Sequence, residues 1–468
     1  MNIVNKVRYD FKNIPDLIER KIKYKLSNIY IFYIETVSSS DRVNDYILKN
    51  ITNLIKEKRI NNILAAPHFK KITSKEIELY LYNGYTVIVY LNKIYAMETR
   101  ADLDRSISPA QIEQDLYGPK DSLIENYQKN IGLIKRRVKS KHLKTIEYKL
   151  GKYTKTITGM MYIDNIVKKE LIDKCKNILN NIETDKIIDA GELKQYLVKE
   201  EKSLFPRVKL TERPDVIVNA LLEGKIVIIV ENSPFAIIIP AVLADFINPI
   251  SDNYLQSGNV NFLKALRLAC FFLTILTPAF YIAIINYNQE TIPPKLLTSF
   301  ITQRQGVPFP ATIEAFFMLF ICEMLRESDI RFPSSYGSSI SVLGALILGE
   351  SAVAANIVSP IMIIIIALTF ISSMMFSNVE VVNAVRIWRF IALLLASFYG
   401  LYGVGLSIIL LLINLCSLYS FDLSYTFPVA PFDLSYLKET LYRAKKKNDK
   451  KRSKYLTNNI RKDESWKK

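Results

Sequence analysis

PAFYIAIINYNQETIPPKLLTSFITQRQGVPFPATIEAFFMLFICEMLRESDIRFP, residues 278–333, lies inside the apolar C-terminal half of a 468-residue chain. Charge should be scarce there, yet the stretch carries Glu290, Lys295, Arg304, Glu314, Glu323, Arg326, Glu327, Asp329 and Arg331. An ionised side chain at mid-bilayer costs about 2.5–3.5 kcal/mol, so such groups face protein, water or one another. Pro293, Pro294, Pro308, Pro310 and Pro333 cut the stretch into short pieces, as broken or re-entrant membrane segments require. Snorkelling from interfacial loops is the plainer account of any single charge. It fits Glu314, Glu323 and Arg326 least, because these sit on or beside an apolar helix-like run. Helical spacing sets Glu323 beside Arg326 and Glu327, so mutual neutralisation is expected. The expected intramembrane charge network is Glu290, Arg304, Glu314, Glu323, Arg326, Glu327 and Arg331.

Outward from this stretch, the chain divides in two. Residues 1–260 carry charge throughout and read as soluble, whereas long apolar runs fill about 262–421. A run at 266–287 is long enough to span a bilayer. The run at 312–325 is short and acidic, and reads as a partial or interfacial helix. Residues 340–375 are long enough for two segments divided near Asn356–Pro360. The last run, about 388–419, contains Gly400, Gly403 and Gly405 and reads as one tilted helix or a tight pair. The polar N-terminus lacks a secretory signal, and the basic segment after Leu437 is a positive-inside signal. Both termini are therefore expected in the cytosol, with four crossings. The fold class is a bipartite cytosolic α/β domain followed by an all-α polytopic transmembrane domain. The expected divisions are an N-terminal tail at 1–28, α/β subdomains at 29–150 and 151–261, a membrane domain at 262–421 and a basic tail at 422–468.

The soluble half carries a divergent duplication. YIETVSSSDRVNDYILKNI at 33–51 echoes YIDNIVKKELIDKCKNILNNI at 162–182, and GYTVIVYLNKIYAME at 84–98 echoes GKIVIIVENSPFAII at 224–238. Each pair reads as a strand end leading into an amphipathic helix, then an apolar strand, a short turn and a second strand. Between the copies, YGPKDSLIENYQKNIGLIKRRVKSKHL (117–143) predicts a helix ending in Lys135, Arg136 and Arg137, where cations suit the helix C-terminus. Glu212-Arg213-Pro214-Asp215 reads as a helix start with proline in the first turn.

Composition narrows the chemistry. Cys175, Cys270, Cys322 and Cys416 are far apart, and His68 and His142 are the only histidines. That spacing supports neither a zinc site nor a disulfide framework. No serine–histidine pair, metal-ligand spacing or phosphate loop accompanies the carboxylates, so no catalytic residue, metal or cofactor is assigned. The formal charge of +17 concentrates in the tail and comes with few aromatic platforms, which favours a membrane surface over nucleic acid. Within GALILGESAVAANIVSP (344–360), small residues surround one acid and one amide. Close helix packing is the plain reading. A pore is the functional one, because carboxylate rings favour cations and rotational symmetry repeats each residue around an axis. Ser341, Gly344, Glu350, Val353, Ala354 and Asn356 are the candidate pore or gating residues.

Pro278, Ala279, Tyr281, Gln289, Glu290, Ile292, Pro293, Arg304, Val307 to Pro310, Glu314, Glu323, Arg326, Glu327, Arg331 and Pro333 fall in an ordered pattern that closely resembles the A subunit of GerA-type spore germinant receptors. The resemblance continues through Gly344, Ala345, Gly349, Ala352, Val353, Ala355, Ser359 and Pro360. In the soluble half it takes in Gly118, Pro119, Glu125, Asn130, Leu133, Arg136, Arg137 and the segment 205–215. Asn288 stands where the family often has histidine, and Ser328-Asp329 replaces a usual Ala-Gly. The resemblance implies a multi-pass protein of the spore inner membrane that works with a transporter-like, nutrient-sensing B subunit and a lipoprotein C subunit. It implies oligomerisation of A subunits into a nutrient-gated ion pathway within membrane lipid. The stage V sporulation paralogue of the same family, or a non-conducting scaffold for partner subunits, would share these residues.

Overall fold

A computed structural model describes the chain apart from residues 1–2, 13, 25–26, 50–68, 101–112, 114–116, 199–202, 332–348, 435–436, 438–451 and 458–468. The first copy comprises α1 (Ile3–Asp10), β1 (Leu17–Tyr24), β2 (Ser27–Ile34), a helical turn continued as a π-helix to Leu48, β3 (Lys70–Ile72), α2 (Ile77–Tyr82), β4 (Tyr85–Tyr90) and β5 (Lys93–Glu98). The second comprises α3 (Tyr127–Arg137), β6 (Leu143–Leu150), β7 (Thr156–Ile163), α4 (Lys169–Asn180), α5 (Ala190–Leu197), β8 (Lys209–Thr211), α6 (Pro214–Glu223), β9 (Ile226–Val230) and β10 (Ala236–Ile239). The two sheets have the same order, β1-β2-β4-β5-β3 and β6-β7-β9-β10-β8, with antiparallel pairing throughout. The duplication read from the sequence is thus a duplication of topology.

Side-chain alternation builds each copy in three layers. In the second, Val227, Ile229, Ala236 and Ile238 face a core closed by Tyr127, Ile131 and Ile134 of α3 and Ile217 and Leu221 of α6. Their neighbours Ile226, Ile228, Val230, Ile237 and Ile239 face the other way, onto Ile172, Cys175 and Leu179 of α4 and Leu193 and Leu197 of α5. A strand buried on both faces reads as an unbroken apolar run, which is why IVIIV and AIII were easy to see. Asn126 caps α3 by accepting a hydrogen bond from Lys129 N, and the helix ends in Lys135, Arg136 and Arg137 as expected. Pro214 opens α6, and Gly224 closes it in the left-handed conformation at φ 93°.

Three expected boundaries move. Residues 3–24, placed largely in an N-terminal tail, form α1 and the edge strand β1, whose eight residues pair with β2. The break at 150/151 falls in the turn between β6 and β7, so α3 and β6 belong to the second copy. Residues 419–424, straddling the expected start of the tail, pair as β11 (Tyr419–Ser420) and β12 (Leu423–Ser424), and Thr457 bridges to Val167.

After β10 come α7 (Leu243–Ile247), a 3-10 turn at Ile250–Tyr254, and the 31-residue α8 (Ser257–Tyr287). Then follow α9 (Pro294–Arg304), α10 (Ala311–Arg331), helical residues 349–354, α11 (Pro360–Ser373) and α12 (Val379–Ser417). The break expected near Asn356–Pro360 occupies residues 355–359. α12 is a hairpin, because Gly400 has φ 58° and ψ −135°. A Cβ on Gly403 would lie 2.0 Å from the Leu395 carbonyl oxygen, an approach that only a folded-back chain allows. The arms, 379–399 and 401–417, are about 31 and 25 Å long at 1.5 Å per residue. The tight pair, not the tilted helix, is therefore the arrangement of the last run. α8 and α12 are long and apolar enough to cross a membrane, with mean hydropathies of 2.3 and 2.0 in their most apolar stretches. That stretch of α12 is only 33% buried, and Phe262, Phe280, Phe398, Tyr402, Ile409 and Ile413 stand exposed. Such an apolar exterior suits lipid rather than water.

Candidate functional site

The charged residues of the apolar half sort into two centres. In the first, Glu314 of α10 is 1% exposed and receives Arg304 Nη2 of α9 at 3.3 Å. Its other oxygen accepts from Ser359 N at 3.0 Å and Ser359 Oγ at 2.9 Å. Ser359 is the N-cap of α11, so the carboxylate sits where an unpaired backbone N–H and the helix dipole favour an anion. One acid thereby fastens α9, α10 and α11. Beside it, Gly306 lies against the Asn356 side chain, where a Cβ would come within 3.3 Å, and Asn356 itself turns the chain at φ 55°.

The second centre corrects an expectation. Glu323 of α10 is bound neither by Arg326 nor through a local helix pair. Its partners are Arg389, whose Nη2 donates at 2.5 Å, and Arg386, both from the first arm of α12. Helical spacing puts Arg326 within reach of Glu323, but the tertiary partners take the carboxylate. Arg326 is half-buried one helical turn from Glu323 on the same helix. Arg389 was missed because it lies in the run read as the last span, and Arg386 because it falls just before that run, in VRIWRFIALLL. The signal was present: two arginines three residues apart on one face of an apolar helix need an acid opposite.

The remaining candidates separate. Glu290 is exposed on the turn Gln289–Thr291 and belongs to neither centre's ion pairs. Glu327 is exposed, and the Arg331 side chain lies outside the described residues, as do Ser341 and Gly344. On helical residues 349–354, Glu350 and Ala354 are exposed, Val353 is half-buried and Ala352 is packed inside a core with Met362 and Leu393. Asn356 is exposed just beyond that helix.

Polar contacts that sequence reasoning did not anticipate join the helices to the second α/β copy. Arg267 of α8 holds Asp252 through two bonds of 2.7 and 2.8 Å, with both residues buried. Lys225, at the start of β9, meets Asp245 of α7 at 2.5 Å. Burial pushes the Lys225 ammonium down, but Asp245 and Glu223 outweigh it and hold the group above its ordinary value. Ser420 Oγ donates to the Arg207 carbonyl at 2.6 Å and accepts from Ala241 N at 3.0 Å. Lys194 of α5 pairs with Glu380 at the start of α12, and Lys174 of α4 pairs with Asp422 just past its end at 2.5 Å. Both ends of the hairpin therefore return to the α/β half. Among the described residues, no group of three or more His, Cys, Asp or Glu side chains could hold a metal ion.

A duplicated α/β unit locked to a helical bundle with an apolar exterior and internal ion pairs defines a class of membrane-associated protein. The family model for the Bacillus/Clostridium GerA spore germination protein matches residues 5–455, and the chain belongs to that family. It is 37% identical over 354 residues to spore germination protein KA of Bacillus subtilis (strain 168), covering 76% of this chain and 65% of that one. To spore germination protein GerLA of Bacillus cereus it is 36% identical over 389 residues, 83% of this chain and 79% of the relative. The crystal structure of the N-terminal domain of the A subunit of the Bacillus megaterium germinant receptor GerK3 matches 51% of this chain and 94% of that domain. The identity there is 23% and the TM-score 0.40.

Proposed function

We propose that the chain is the A subunit of a spore germinant receptor in the spore inner membrane, acting without catalysis, beside a transporter-like B subunit and a lipoprotein C subunit. Several copies assemble around an axis to form a nutrient-gated cation pathway. The observation that carries this reading is the face formed by residues 349–354. Glu350 and Ala354 point out of a single chain from a helix whose opposite side, at Ala352, is fixed in a core. A carboxylate repeated around a symmetry axis favours cations. Both ends of the α12 hairpin meet the α/β half, which supports an arrangement with both termini on the cytosolic side. The test is cation flux through the purified chain in liposomes. Glu350→Gln is expected to lower flux several-fold with assembly unchanged, and an enlarged Ala354 to narrow the path further. If the wild-type chain assembles and passes no cation, it is a scaffold for its partner subunits.

A further inference from the structure

The Glu323 centre holds more positive charge than it neutralises. Arg386 and Arg389 share one carboxylate, and Arg326, one helical turn from Glu323 on α10, has no ion pair among the described residues. Arg389 is 3% exposed and its Nε lacks a hydrogen-bond acceptor. Arg386 and Arg326 are partly exposed; Arg386 Nη1 donates to Asn383 Oδ1 at 2.9 Å on the exposed side, which leaves its Nε and the second N–H of each Nη for a further acceptor. Buried or half-buried guanidinium in an apolar setting needs an anion, and a planar fork of N–H donors matches phosphate oxygens two at a time. Depth points the same way. Glu380 is tied to Lys194 of the α/β half, and at 1.5 Å per residue Arg386 and Arg389 lie about 9 and 13 Å along the helix from it. With the α/β half lying against the membrane surface, that distance falls within the headgroup layer and its border with hydrocarbon in the adjacent leaflet.

We infer that Arg326 and Arg386, backed by Arg389, form a binding site for a phosphate monoanion, supplied by the headgroup of an anionic lipid. The inference rests on the reading that the helical half lies in a membrane. Bound phosphate would lower the excess positive charge at the α10–α12 contact from two to one and so tie the packing of these helices to the lipid around them.

Trp388 lies next to Arg389, is 8% exposed and shares the chain with one other tryptophan, Trp466. With Trp466→Phe in the full-length chain, Trp388 fluorescence reports on this place alone. The chain is reconstituted in phosphatidylcholine vesicles containing a minority of phosphatidylglycerol, with brominated acyl chains on one lipid or the other. Brominated phosphatidylglycerol is expected to quench at a lower mole fraction than brominated phosphatidylcholine. Arg326→Gln and Arg386→Gln should each reduce that preference roughly five-fold, while the Glu323–Arg389 pair keeps the helices together. Arg→Lys at both positions should restore part of it. Quenching by brominated phosphatidylcholine shows that each variant is inserted. If millimolar inorganic phosphate abolishes the preference, the phosphate site stands and free anion is its occupant. If both lipids quench wild type equally, or the double glutamine variant keeps the preference, the site is overturned and the membrane reading survives. If neither lipid quenches, the membrane reading fails and this proposal with it.

Discussion

The two α/β copies share a strand order but not their surroundings. Among the described residues, both cores of the first copy are built from residues 3–97. Among the described residues the second copy is bonded to the helical half through Lys225, Lys194, Lys174 and Arg207, through Asp215, which accepts from Tyr254 Oη at 2.7 Å, and through Lys209, whose Nζ donates to the Asp245 carbonyl at 3.0 Å. Phe205 and Ala241 even share a core with Phe246 of α7 and with Trp388, Leu411 and Tyr425. The first copy is fastened mainly to the second. Lys135 of α3, fully buried, pairs with Asp16 at the entry to β1, and Thr36 Oγ1 donates to the same carboxylate at 2.5 Å. Duplication thus supplied one unit that became an adaptor to the helices and another mounted on it. A displacement of the first copy reaches the helices by way of the second.

The Asp16–Lys135 lock is the sharpest place to break that arrangement. Asp16→Ala leaves an ammonium with no exposed surface and no counter-charge, which costs about 3–5 kcal/mol. Thermal unfolding of the purified chain should then show an early transition for the first copy while the second copy and helices melt as before. Replacing both partners, with Asp16→Leu and Lys135→Met, should recover most of the loss, since an apolar pair of similar size avoids the desolvation penalty. A single unshifted transition in Asp16→Ala would mean that the copies are held by other contacts.

On the adaptor side the expected effect is smaller. Asp245→Ala removes one partner of Lys225, yet Glu223 remains 3.5 Å from the ammonium. The loss is about 1.5–3 kcal/mol, the worth of a hydrogen bond to a charged group. It should lower the transition of the second copy and helices together, because α7 sits between them. Loss confined to the first copy would contradict the comparison.

How far these relations were legible depends on where each partner lies in the chain. Strands β2, β4, β7 and β9 are buried on both faces and announce themselves as apolar runs. The edge strands LIERKIKY and LKTIEYKL place charges along an exposed border, as edges do to avoid pairing with other chains. That disguised one as a tail and left the other unassigned. The same asymmetry governs the charges. Glu314 stands out in the sequence as a carboxylate on an apolar run, but its Ser359 contact lies 45 residues away. Glu323 was assigned the neighbours that helical spacing supplies, whereas its partners lie 63 and 66 residues further on. Spacing reveals which charge needs a partner, and only packing decides which partner it gets. Gly400 was visible as one of three glycines in an overlong apolar run. Its positive φ and the approach of residue 403 to 395 turn that hint into a hairpin.

The smallest effect is expected at Lys194. Its pair with Glu380 joins α5 to the first turn of α12, but the side chains are 18% and 39% exposed. Water and salt screen such a pair, and exposed ion pairs contribute about 0.2–1 kcal/mol. Glu380 also lies in the first turn of its helix, where a carboxylate is favoured by the dipole whether or not Lys194 is present. Asn378 caps the same helix independently by accepting from Glu380 N and Val381 N. Lys194→Ala should therefore lower stability by under about 1 kcal/mol, and raising salt should erase the difference from wild type. A loss comparable to that of Asp245→Ala, persisting at high salt, would show that α5 carries the helical half as firmly as α7 does. The adaptor would then grip the hairpin at its start rather than through the buried joint at Lys225.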